Sequence, residues 1–217
     1  MTTAMATSQE LAALITSKID RGELTSGTRL SEVSLAEDLG VSRNTLREAF
    51  RVLSQDGLVD HIPNRGVFVH RFSKSDVNDI YAYRLFVELA AIRSAQDHPE
   101  QVERSLVQMR HAYQNAVAAN EQGDWQTVGS ENSAFHLAIV ELAEVKRLVV
   151  EARKVLALAR IGFLETRESE TFHSPYVNLN GEILQRLERR DFKAAEDFLQ
   201  EYLERSRQDL LSRLPEK

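Results

Sequence analysis

The stretch Leu35–Arg51, LAEDLGVSRNTLREAFR, reads as a helix, a tight turn and a second helix. Leu35, Ala36 and Leu39 put apolar groups on one face of a short first helix. Gly40 follows, where a helix end needs a residue that tolerates positive φ. Ser42 then stands where a side-chain oxygen can accept from the free N–H groups of the next turn. In the second helix Leu46, Ala49, Phe50 and Leu53 recur at i, i+3, i+4 and i+7, a core-facing stripe. Arg43, Asn44, Arg47 and Arg51 fall largely on the other side. Arg can reach guanine O6 and N7 in the major groove, Asn can reach adenine, and both can hold phosphate. The same pattern also fits an ordinary surface helix with solvated charges, so the flanking sequence has to decide.

On the N-terminal side, Thr7-Ser8-Gln9-Glu10 has the capping-box pattern, and Leu11, Leu14, Ile15 and Ile19 then form a helical stripe. Residues 1–6 read as a frayed tail. A turn-rich link containing Gly22 and Gly27 leads to Leu30, with Ser31 as the cap of the next helix. On the C-terminal side, Leu58–Ile62 and Val67–His70 are two β-rich runs around Pro63-Asn64-Arg65-Gly66, which predicts a hairpin. A hairpin directly after a recognition helix is a wing. Its tip, Asn64, Arg65 and Gly66, offers an Arg and a bare backbone able to approach the minor groove. A hairpin that merely closes the small core fits equally well.

Composition sets outer bounds. With 217 residues, 42% hydrophobic and 28% charged, the chain can build one large or two small globular domains. It has no cysteine, which removes disulfides and thiolate metal sites and fits a reducing cytoplasm. No signal-peptide core or membrane-length apolar run is visible, so a cytoplasmic protein is expected. The net charge of -6 does not advertise nucleic-acid binding. Residues 1–70 hold 7 Lys and Arg against 9 Asp and Glu, a balance of -2. DNA affinity would have to come from local clustering and from two copies acting together.

Ser73-Lys74-Ser75-Asp76 is a second capping pattern, which puts a domain boundary near it, with domains over 1–72 and 73–217. The remainder reads as helix over 76–97, 100–121, 124–143, 145–168, 173–190 and 192–213, with one break near Ser174-Pro175. Six helices joined by short links predict an all-α antiparallel bundle. The fold class is therefore mostly α: an N-terminal winged helix-turn-helix with a small β-hairpin wing, then the bundle. Trp125 follows Gly123-Asp124 near a helix start and reads as a packing anchor. No P-loop, dinucleotide-binding glycine fingerprint or HExxH motif occurs.

The run Gly27-Thr28-Arg29-Leu30-Ser31-Glu32, with Leu39-Gly40-Val41-Ser42-Arg43, Arg47-Glu48-Ala49, Gly57-Leu58-Val59 and Arg65-Gly66-Val67, resembles the winged helix of GntR-type bacterial transcription regulators over about residues 8–70. Asn44-Thr45-Leu46 stands where the family usually has Thr-Pro-Val, and Val33 replaces a frequent Arg. The helical remainder resembles the FCD class of effector domain in the FadR-like branch, through Arg84 with Glu88, Phe135-His136, and Asp191 with Ala195. The resemblance implies a homodimer on a short palindromic operator of double-stranded DNA, whose grip changes when a small metabolite enters the bundle. Ser42, Arg43, Asn44, Thr45 and Arg47 would contact DNA from the recognition helix, and Asn64, Arg65 and Gly66 from the wing.

Metal-binding members of that class gather one Asp and three His inside the bundle. The corresponding positions here are Asn132, His136, Asn180 and Tyr202, so only the His at 136 matches. Neutral amides and a phenol are poor donors for a transition metal, and no metal or other cofactor is expected. The four side chains can instead hydrogen-bond a hydroxylated or anionic ligand, such as an organic acid or phosphorylated sugar. Arg84 is the candidate anchor for its carboxylate or phosphate, with Arg160 on another helix as a second cation. Each has a plainer reading: His136 as a satisfied structural residue, and Arg84 as half of a solvated i,i+4 pair with Glu88. The resulting expectation is a ligand-responsive regulator, in sign a repressor, and not an enzyme. Two rivals remain: a helical-bundle enzyme with an appended DNA-binding domain, and an architectural DNA-binding protein without effector.

Overall fold

The computed structural model describes residues 7–166 and 169–214. The expected N-terminal tail, and the last two residues of the helix expected to end at 168, lie outside them. The chain divides into two compact units between Phe72 and Ser73.

The first unit is built on three helices and a small sheet. Helix α1 (Ser8–Asp20) starts from a complete capping box between Thr7 and Glu10. Its buried face is Leu11, Ala12, Ile15 and Ile19, while Leu14, expected in the stripe, is 42% exposed. Helix α2 (Glu32–Asp38) is capped by Ser31 and ends at Gly40, whose φ of +63° lets the Val41 N–H return to the Ala36 carbonyl at 3.0 Å. Helix α3 (Arg43–Gln55) starts at Ser42 and packs Leu46, Ala49, Phe50 and Leu53 against α1. These four are at most 4% exposed. That burial holds the helix-turn-helix rigid, because the charged face of α3 contributes nothing to a core.

Strands β2 (Val59–Ile62) and β3 (Gly66–Val69) pair antiparallel, with Val59 opposite Val69 and Ile62 opposite Gly66. Asn64 at the turn adopts φ +61° and Gly66 φ +106°, a value that L side chains rarely adopt. A third strand, β1 (Arg29–Leu30), pairs with the other edge of β3, giving the order β1-β3-β2. The sequence showed only the hairpin. A two-residue strand has no alternation to read, and its place is set by the pairing of Leu30 with Val67.

The second unit is a bundle of α4 (Lys74–Ser94), a 3-10 turn at Ala95–Asp97, α5 (Pro99–Glu121), α6 (Trp125–Glu141), α7 (Lys146–Glu165), α8 (Ser169–Glu188) and α9 (Phe192–Arg213). Helix α6 packs against α4, α5, α7 and α8, which makes it the centre of the bundle. Its Val128, Phe135 and Ile139 are at most 1% exposed, so the helix is apolar on more than one side. Trp125 packs beside Ala116, Ala119, Val128 and Val177, as a packing anchor should. The expected break at Ser174-Pro175 does not occur: α8 begins at Ser169 and carries Pro175 inside it. Pro175 lies in the second turn, where it removes one ladder donor, and the buried Tyr176, Val177 and Asn180 beyond it hold the helix against the bundle. Among the described residues no helix is long and apolar enough to cross a membrane.

Candidate nucleic-acid interface and buried polar cluster

On α3 the residues opposite the core stripe are exposed: Arg43, Asn44 and Arg47. Ser42 and Thr45 are committed to the helix start, since the Thr45 N–H donates to Ser42 Oγ at 3.1 Å and the two hydroxyls lie 2.8 Å apart. Arg43 and Asn44 in the first turn share the partly positive end of the helix, where a phosphate is favoured. Arg47 Nε donates to Glu32 Oε2 on α2 at 2.8 Å, and Arg51 Nη1 donates to Glu48 Oε1 at 2.7 Å. At the wing, Asn64 and Arg65 are exposed and Gly66 is half-buried. The Arg65 guanidinium sits 5.9 Å from the Phe68 ring centroid, a cation–π placement that directs it along β3.

Inside the bundle, Asn132, His136, Asn180 and Tyr202 come together from α6, α8 and α9. Asn180 Nδ2 donates to Asn132 Oδ1 at 2.9 Å. The Tyr202 hydroxyl lies 3.0 Å from the same oxygen and 3.1 Å from His136 Nε2. A phenol has one proton, so it can donate to only one of these two neighbours. His136 Nδ1 is 2.6 Å from Glu88 Oε2, and Glu88 Oε1 accepts from Arg84 Nε at 2.7 Å. The six side chains form one continuous chain of contacts, from Arg84 at one end to Asn180 at the other. Arg84, Glu88, His136, Asn180 and Tyr202 are each at most 3% exposed. Arg84 also lies 5.2 Å from the Tyr81 ring, and the Tyr81 hydroxyl meets Ser206 Oγ at 2.6 Å.

Burial shapes the charges. It pushes Glu88 up, but the Arg84 guanidinium and His136 outweigh it and hold Glu88 below the usual carboxylate range. Burial lowers His136, against the pull of Glu88 and with the help of Arg84. Burial raises Tyr202 well above the usual phenol value. With His136 neutral and its Nδ1–H given to Glu88, Nε2 is an acceptor facing the phenol. The Arg84–Glu88 pair expected as an i,i+4 contact does form, but it is buried rather than solvated.

Glu88 is the residue that the sequence reading undervalued, naming it only as a partner of Arg84. The signal was available. Val77, Ile80, Tyr81, Arg84, Val87, Glu88, Ala91 and Ile92 are all buried on α4, so the 3.6-residue stripe runs through both charged residues. Arg160 takes a different place. Its guanidinium stands against Gly129, donates to the Gln126 carbonyl at 2.9 Å, and lies 3.4 Å from His173 Nε2. Gly129 is one turn along α6 from Asn132, so the Arg160 guanidinium reaches from α7 to the neighbouring turn.

The donor set does not fit a divalent metal. Asn132 Oδ1 already accepts an amide proton, Tyr202 is pushed away from ionising, and the Glu88 carboxylate beside His136 is paired with Arg84. What is left is one neutral imidazole with two amides, too little charge to strip a cation of its water.

Comparison with known proteins identifies the family. The family model for bacterial regulatory proteins of the gntR family matches residues 7–69, and the FCD domain model matches residues 79–205. A solved putative GntR transcriptional regulator from Rhodococcus sp. RHA1 is 31% identical with a TM-score of 0.86, over 96% of this chain and 99% of that one. The HTH-type regulator YdhC of Bacillus subtilis is 27% identical over 66% of this chain, and the match spans 65% of its own length. A probable D-xylose utilization operon repressor of Paenarthrobacter nicotinovorans is 30% identical over 67% of this chain and 66% of its own. These are names of transcription regulators and not of enzymes. The chain thus belongs to the GntR family of bacterial regulatory proteins, with a winged helix-turn-helix followed by an FCD domain.

Proposed function

We propose that the protein is a ligand-responsive repressor that binds a palindromic operator as a homodimer in the cytoplasm and releases it when a small anionic metabolite enters the FCD bundle. Arg43, Asn44 and Arg47 read or hold the major groove, Ser42 and Thr45 set the start of that helix against phosphate, and Asn64, Arg65 and Gly66 reach the adjoining minor groove. The repressor name of the Paenarthrobacter relative supports the sign.

One observation carries the effector reading. Among the described residues, Arg84 Nη2 and Asn180 Oδ1 are buried without a hydrogen-bond partner. They lie near opposite ends of the polar chain, one a charged donor and the other an acceptor. An unsatisfied buried polar group costs about 1–3 kcal/mol, and most are explained by a missing partner. A ligand with an anionic oxygen for Arg84 and a hydroxyl for Asn180 would satisfy both. Carboxylates and phosphates of hydroxylated metabolites have that chemistry, with Asn132, His136 and Tyr202 between the two ends. The ligand can favour only the dimer geometry that it binds better, and that shift loosens the grip on DNA.

The dimer has a candidate face of its own. Phe86 on α4 is 78% exposed and Val150 on α7, a helix packed beside α4, is 55% exposed. A second copy of the chain would cover them.

The test has two arms. Sequences bound by the protein are selected from a random DNA pool, and organic acids and sugar phosphates are then screened for release of the selected site and for thermal stabilisation in chelator. A saturating ligand at about 100 times its Kd should add about 2.7 kcal/mol, with or without chelator. Arg43→Ala should weaken the selected site by about 1–3 kcal/mol. Arg84→Ala is a poor probe, because it strands the buried Glu88 carboxylate. Arg84→Lys keeps the charge and loses the fork, so effector affinity should fall while effector-free DNA binding stays near normal. Absence of a selected sequence would sink the regulator, and absence of stabilisation by any anion would sink the effector site.

A further inference from the structure

The three arginines of α3 are held in three different ways. Arg43 is exposed and has no ion pair or hydrogen bond among the described residues. Arg51 has one Nη engaged by Glu48 from its own helix. Arg47 is held from another helix and by its Nε alone, through Glu32 Oε2 at 2.8 Å. Its side chain remains 61% exposed, while that of Glu32 is 31% exposed. Among the described residues both Nη groups of Arg47 therefore stay free for a partner outside the protein.

We infer that Glu32 is a positioning residue for DNA reading: it fixes the Arg47 guanidinium so that its two Nη groups meet the O6 and N7 of one guanine end-on. The inference rests on the DNA-binding reading above. An untethered Arg loses side-chain freedom when it docks. A carboxylate on Nε removes much of that loss in advance and leaves the two-pronged end of the fork, whose spacing matches the guanine edge. Glu32 is well placed to stay put, since it lies in the first turn of α2, directly after the Ser31 cap.

The carboxylate also has an electrostatic effect. It neutralises much of the Arg47 charge, so Arg47 adds little to sequence-independent, salt-dependent attraction. Discrimination is gained and general affinity is given up. That fits a reading head whose first 70 residues carry 7 basic against 9 acidic groups. An Arg held for phosphate contact would have no use for a neutralising partner.

The experiment uses the full chain and a selected operator, with each base pair varied in turn, plus a scrambled duplex, over a series of salt concentrations. Arg47→Ala should lose discrimination at one G·C pair, about tenfold or more, as expected for one bidentate contact. Glu32→Ala should lose discrimination at the same pair and bind the scrambled duplex more tightly, with a salt slope steeper by about one. Glu32→Gln keeps a neutral acceptor for Nε, so it should also bind scrambled DNA more tightly while keeping most of the discrimination. A simple loss of folding would weaken both duplexes together, and melting curves of each variant check that directly. Unchanged discrimination in Glu32→Ala, or an Arg47→Ala that weakens every sequence equally, overturns the inference and leaves DNA binding intact. A wild type that prefers no sequence overturns both.

Discussion

Gly129 on α6 has no room for a side chain. A Cβ there would lie 2.0 Å from Arg160 Nη1 and 2.3 Å from its Cζ. A helical Gly→Ala change normally stabilises by about 1 kcal/mol. Here the guanidinium is fully buried and bonded to the Gln126 carbonyl, so it cannot swing out to water. The clash should win, and Gly129→Ala should cost about 1–3 kcal/mol, seen as a lower urea midpoint at unchanged slope. Equal or greater stability would show that Arg160 is not fixed where it stands. The neighbouring His173 makes a pH statement. Burial first, and the Arg160 charge second, push it from 6.5 down to about 3. The unfolded chain therefore binds this proton across that window and the folded chain does not. Stability from this residue is whole above about 6.5 and is lost as pH falls toward about 3. The slope is at most about 1.4 kcal/mol per pH unit. The melting temperature of His173→Gln should fall less steeply with acid than that of the wild type, and parallel curves would refute the assignment. Neither feature was legible in the sequence. Arg160 was named as a candidate, but its position over a glycine depends on the packing of α6 against α7, and sequence periodicity gives a face without giving a partner. Arg84, Asn132, His136, Asn180 and Tyr202 were legible as candidates because the resemblance aligned them, and Glu88 was available in the stripe of α4.

At the scale of elements, what could be read was what local chemistry sets. Ser42 at the start of α3, Ser73 at the start of α4 and Gly40 after α2 all act at the backbone of their own turn, and all three stand where the sequence put them. The failures were tertiary. Strand β1 exists through its pairing with β3, and α8 continues through Pro175 because the residues beyond it are buried. That second case has a consequence. Pro175 is exposed, so replacing it disturbs no core contact, and Ala restores the ladder donor that proline lacks. Pro175→Ala should stabilise the chain by about 1–3 kcal/mol, since proline in a helix interior costs about 3 relative to Ala. A lower melting temperature in the variant would show that Pro175 does not stand inside a regular helical ladder.

For the molecule as a whole, charge decides how it can hold DNA. A chain of net charge -6 whose first 70 residues sum to -2 has little general attraction for phosphate. One recognition helix and one wing tip make few contacts. Two copies on a two-fold operator double them, and affinity follows the number of phosphates neutralised steeply. Dimerisation should therefore be a condition of operator binding and not an addition to it. Phe86, at 78% exposed, supports no core in the single chain, so a second copy of the chain can cover it without disturbing the fold. Phe86→Asp should leave the fold and melting profile of the monomer intact, because the side chain touches little. It should put a carboxylate into the proposed apolar contact between the copies, and light scattering at micromolar concentration should then report a monomer. The operator footprint should be lost or shrink to one half-site, and the salt slope of the remaining binding should fall to about half. A variant that still runs as a dimer with a full footprint would mean that the copies meet through another face. A monomer with an unweakened, full-length footprint would mean instead that the dimer forms on the DNA, and that the operator, not Phe86, brings the two copies together.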